Sequence, residues 1–149
     1  MNDFERCIKE RRLVKIKPLK EIIQKEIESA EYDLERARNS LDEGDFKWAA
    51  VQSYYSMFHA GKALVLKEGY REKSHFCLLI ALRKLCFDEH KLDAEMIENL
   101  ELCMNLRHEA DYGLTCHQES AETALKYAEV FLNSALKPVS YTHLRAHET

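Results

Sequence analysis

From Leu19 onward the apolar positions Ile22, Ile23, Ile27, Ala30, Leu34, Ala37 and Leu41 recur at helical spacing, which predicts one amphipathic helix of more than five turns. "DEGD" at 42–45 closes it, with Gly44 suited to the position after the C-cap and Asp45 to the next N-cap. The following stretch, "FKWAAVQSYYSMFHAGKALVLKE" (46–68), is apolar nearly all round, so it predicts a helix at the centre of a bundle. Ser74 reads as the cap of a fourth helix, "HFCLLIALRKLCFDE", and Asp93 as the cap of a fifth that runs to about Tyr112 and stops at Gly113. A sixth, about 118–136, carries the stripe Ala121, Leu125, Ala128, Phe131, Leu132 and Ala135 before Pro138 ends it. A short helix over residues 3–16, stopped by Pro18, precedes them all. Because the connections are short, neighbouring helices are expected to run antiparallel.

The expected fold is therefore all-α. It is an up-and-down antiparallel helical bundle with four to five core helices plus the short N-terminal one. Residues 1–18 form a basic N-terminal segment, 19–137 the bundle, and 138–149 a tail without periodicity. The string "VSYTHLRAHET" (139–149) resembles a translated vector or adaptor read-through, so this tail is expected to be non-native and disordered, and its His143, Arg145 and His147 are set aside.

Composition narrows the picture. A chain of 149 residues suits one core, and four Gly and two Pro leave little material for hairpins. The net charge of −4 argues against a protein that coats nucleic acid by overall positive potential. It conceals a local asymmetry: "KERRLVKIKPLK" (9–20) has six Lys or Arg against one Glu, so it carries +5 and the remainder −9. Such a run is either a solvated face or a phosphate-contacting arm. The five cysteines, Cys7, Cys77, Cys86, Cys103 and Cys116, are scattered and odd in number, and read as buried thiols of a reducing, cytoplasmic compartment. No apolar run reaches membrane-span length.

Motif chemistry is sparse. Without a C-x-x-C or H-E-x-x-H pattern no metal is expected, and without a glycine-rich loop any nucleotide would be held by side chains; no cofactor is implied. Two polar constellations stand out. Tyr55, His59 and Lys62 share one face of the third helix, either lining a cleft or buried with hydrogen-bond partners. On the fifth helix the stripe Ile97, Leu100, Met104 continues into Arg107 and Asp111. An acid in the last helical turn opposes the helix dipole, so Asp111 needs a specific partner. Arg107 and Asp111 are either a packing lock or a phosphate-binding fork with its orienting carboxylate.

Four stretches, "AAVQSYYSMFHAGKALVLKEG" (49–69), "EKSHFCLLIALRKL" (72–85), "LRHEADYG" (106–113) and "ESAETALKYAEVFLNSA" (119–135), together resemble the HEPN domain, above all its short stand-alone prokaryotic members. The resemblance implies a dimerising helical bundle, commonly partnered by a minimal nucleotidyltransferase in a toxin–antitoxin-type module. In catalytic members an arginine and a histidine about one helical turn apart cleave RNA without metal. Arg107 matches that arginine, but Asp111 and Tyr112 stand where the histidine is expected, and an aspartate with an unperturbed pKa near 3.9 is a poor neutral-pH acid. His108 points about 100° away from Arg107 on a helix, and His117 lies beyond Gly113.

The leading expectation is a homodimeric HEPN-domain protein that binds nucleotide or RNA phosphate and pairs with a nucleotidyltransferase. Arg107 and Asp111 would form its centre, Tyr55, His59 and Lys62 one wall, and Tyr112 the mouth. The alternatives are a metal-independent endoribonuclease using Arg107 with His108 or His117, and a non-catalytic interaction module.

Overall fold

The computed structural model describes residues 1–86, 92–111 and 116–148, and the side chains of all of these except 109–111 and 137–148. In chain order the elements are α1 (Asp3–Lys9), β1 (Leu13–Lys15), α2 (Lys20–Asp42), α3 (Phe46–Lys67), β2 (Tyr70–Glu72), α4 (His75–Leu85), α5 (Ala94–Asp111) and α6 (Gln118–Glu148). Helices dominate, as the apolar periodicity requires.

Local signals place the boundaries. Asp45 accepts from the Trp48 backbone N–H at 3.3 Å, Ser74 from Cys77 at 3.0 Å and Asp93 from Met96 at 2.9 Å, each satisfying a donor that a helix start leaves open. Gly44, at φ +79°, lets the chain turn sharply from α2 into α3. The centre of the bundle is α3, which packs against α2, α4, α5 and α6 and buries residues on every side. Tyr54, Met57, Leu64, Leu78, Leu82, Ile97, Leu100 and Phe131 fill the core. Ser56, fully buried, is satisfied by donating to the Ala30 carbonyl at 2.7 Å, which pins α3 to α2.

Three expectations need correction. The N-terminal helix ends at Lys9: Arg11 adopts φ +59°, turning the chain so that 13–15 pairs antiparallel with 70–72. The β-branched Val14 and Ile16 suit that ribbon better than a continued helix. The cysteines are not all thiols, because Cys7 and Cys77 form a disulfide joining α1 to α4. Their Cα atoms lie 5.9 Å apart, a separation that spacing along the chain could not reveal. Finally, α6 continues through Pro138 to Glu148. The ring's fixed φ is itself helical, so the cost there is a missing backbone N–H and crowding of the carbonyl four residues back.

Candidate functional site

The site begins with the end of α5. Its core stripe brings Arg107 against α3, where its guanidinium donates to the Tyr55 hydroxyl at 2.8 Å and lies over the Tyr55 ring at 5.4 Å. The neighbouring residue of α3, Tyr54, is 1% exposed, its ring lies 5.1 Å from that of Tyr55, and its hydroxyl lies 2.6 Å from Nδ1 of His75. His75 is held at the first position of α4 by the Ser74 cap directly before it. Its ring also packs on Phe58 with centroids 4.4 Å apart. Two nitrogen-bearing side chains from separate helices thus meet on adjacent tyrosines of a third.

The electrostatics follow from that placement. Burial, then the charges of Arg107 and Lys62, hold His75 below the ordinary imidazole pKa, so its neutral form is favoured. Burial raises the pKa of Tyr54, which keeps its hydroxyl protonated. When Nδ1–H donates to the Tyr54 oxygen, Nε2 is the basic nitrogen.

His59 and Lys62 lie on the same helix but serve a second cluster. His59 Nδ1 is 2.6 Å from Glu26 Oε2, and its Nε2 is 3.7 Å from Asp33. Lys62 Nζ sits between Glu26 at 3.5 Å and Glu72 at 3.6 Å. Burial would raise the Glu26 carboxyl, but the hydrogen bond from His59 and the charge of Lys62 outweigh it and lower the pKa. At Glu72 burial wins over Lys62, and the pKa rises. The face expected to be one wall therefore divides: Tyr55 belongs to Arg107, while His59 and Lys62 tie α3 to α2 and β2.

Of the other candidates, His108 is exposed in the last turn of α5, and His117 lines a groove of about 450 Å³ between α5 and α6 with Leu102, Cys103 and Tyr127. Cys103 there has its thiol pKa pushed by burial to about 12, which makes it inert at neutral pH. The Asp111 side chain and Tyr112 lie outside the described residues. Among the described residues no three His, Cys, Asp or Glu side chains gather as a metal site would require, and no helix is long and apolar enough to cross a membrane.

The match to known proteins is as broad as the fold. The HEPN domain model covers residues 23–138. The chain belongs to the HEPN domain family. A Methanocaldococcus jannaschii protein named "Putative toxin MJ0142" is 34% identical over 117 residues, covering 77% of this chain and 80% of that one. An Archaeoglobus fulgidus UPF0332 protein is 30% identical over 116 residues, covering 76% and 92%. The crystal structure of TT1696 from Thermus thermophilus shares the fold, with TM-score 0.65 and 21% identity over 77% of this chain and 96% of that one. In this HEPN chain His75 is the residue that reasoning from motif spacing missed. It lies 32 positions before Arg107, and the available signal was a histidine directly after a capping serine, at the mouth of an otherwise apolar helix.

Proposed function

We propose that this HEPN-domain protein is a toxin-type, metal-independent endoribonuclease in which Arg107 holds the scissile phosphate and His75 moves the proton. The observation that supports this reading is the convergence of Arg107 and His75 on Tyr55 and Tyr54, close enough for the arginine's charge to lower the histidine's pKa. A guanidinium fork neutralises the non-bridging phosphate oxygens as negative charge builds on them. Neutral His75 takes the proton of the ribose 2′-hydroxyl, the 2′-oxygen attacks phosphorus, and the bond to the 5′-oxygen breaks. The leaving oxygen takes a proton from water, and a 2′,3′-cyclic phosphate remains.

The same pair would bind a nucleotide phosphate without cleaving. The toxin name of the Methanocaldococcus relative supports a two-component module, and the partner we propose is a nucleotidyltransferase bound by a homodimer of this chain.

The test is incubation of the purified protein with single-stranded RNA in EDTA, beside Arg107→Ala and His75→Ala. Removal of either group should slow cleavage at least about a hundredfold, the usual contribution of a positioned acid–base group or an oxyanion ligand. Cyclic phosphate ends identify the chemistry. Cleavage that survives both substitutions, or that stops in EDTA, overturns the proposal.

A further inference from the structure

The basic segment at 9–20 takes no part in the site described above, yet the fold brings it to the site's border. The turn at Arg11 folds it back so that β1 lies against β2, which leads through Lys73 and Ser74 into His75. The ladder extends past the strands: the Lys73 N–H donates to the Arg12 carbonyl at 2.7 Å, and that of Ile16 to the Gly69 carbonyl at 2.9 Å. Val14 stands opposite Arg71, and just past the strand ends Arg12 and Lys73 are held side by side by that Lys73 to Arg12 backbone bond. All three cations are exposed. The carboxylate between two of them, Glu72, belongs to the opposite face, is only 9% exposed, and is engaged with Lys62. Among the described residues Glu10, 3.8 Å from Arg12, is the one acid within ion-pair distance of this trio.

Like charges held close together cost stability, and Glu10 offsets that for Arg12 alone, so the ribbon's own folding does not account for Arg12 beside Lys73 and Arg71. We propose that this face of the β1–β2 ribbon is a binding track for the phosphate backbone of single-stranded RNA, leading the strand to His75 and Arg107. The inference rests on the ribonuclease reading for the identity of its ligand. A polyanion adds to the partial compensation that Glu10 gives Arg12, and contact with three phosphates makes affinity steeply salt-dependent.

The experiment titrates the full chain with a fluorescein-labelled 2′-O-methyl oligouridylate, which lacks the attacking hydroxyl and stays intact, between about 50 and 200 mM salt. The triple variant Arg12→Gln/Arg71→Gln/Lys73→Gln should reduce the slope of log K against log salt by about 2, since each single-strand phosphate contact contributes roughly 0.7, and weaken binding at least about tenfold. A control triple, Lys47→Gln/Lys84→Gln/Lys126→Gln, removes the same charge from exposed positions elsewhere and should leave the slope in place. Thermal melts check folding; if the ribbon triple is unfolded, Arg71→Gln alone should lower the slope by about 0.7. Equal losses in both triples, or no loss in the ribbon triple, overturn the track. If unmodified RNA is cut in an Arg107- and His75-dependent manner while the ribbon triple binds like wild type, the track falls and the ribonuclease reading stands. A selective loss of binding without any cleavage leaves the track standing and removes the ribonuclease.

Discussion

Tyr54→Phe removes one oxygen, yet it should disturb both stability and chemistry, because that hydroxyl is the hydrogen-bond partner of His75 Nδ1 in a largely buried setting. We expect a loss of about 1 kcal/mol in denaturant unfolding, and cleavage slowed through loss of the fixed ring orientation. His75 itself predicts a pH dependence. Its folded-state pKa lies below the unfolded value of about 6.5, so the unfolded chain takes up the proton first as pH falls. Its contribution is present above about pH 6.5 and is lost on acidification toward the folded-state pKa. Melting curves across this range should show His75→Asn flattening the decline; an unchanged profile would refute the assignment. Lys62→Met makes the complementary case, since it leaves Glu26 and Glu72, 18% and 9% exposed, facing each other without their shared cation. The expected cost is about 2 kcal/mol at pH 7. It should shrink toward pH 5 as Glu72, already raised by burial, takes a proton.

Among the elements, α1 and the ribbon are the least legible from sequence. A three-residue strand has too few positions to display alternation, and its partner lies some 57 residues further along the chain (Leu13 against Glu72 gives 59, Lys15 against Tyr70 gives 55). The Cys7–Cys77 disulfide ties this N-terminal unit to α4 across 70 residues of sequence. Loop-closure entropy for such a span is worth about 4 kcal/mol, so Cys7→Ser, or dithiothreitol on the wild type, should lower the melting temperature markedly. A melt insensitive to reductant would show that the bond contributes nothing. The helices behave differently. Each of α2, α3 and α4 carries its stripe and its stop or start signal within a few neighbouring residues, so the limits of α2 and α3 and the start of α4 agree with expectation to within a residue or two, the expected end of α4 at Glu89 lying outside the described residues, while α6 runs on where proline alone suggested an end.

Across the molecule, the bundle is organised by one apolar helix with others laid around it. Phe131 on α6, 1% exposed, packs in the shared core, so Phe131→Ala should cost about 3–5 kcal/mol in equilibrium unfolding. If the core is one cooperative unit, a single transition should shift as a whole rather than split. Periodicity sufficed for the all-α architecture because a helix buries a stripe that repeats every three to four residues, and that repeat is written locally. Caps at Asp45, Ser74 and Asp93 were legible for the same reason: their partners lie three residues away. Arg107 stood out because a cation interrupts its own helix's core stripe. The pairing of Arg107 and His75 on Tyr55 and Tyr54 depended instead on how α4 and α5 dock on α3, as did the division of Tyr55 from His59 and Lys62, the disulfide and the basic ribbon. Contacts between side chains distant in sequence leave no periodic trace; they exist only once the apolar faces have packed and fixed which polar atoms meet.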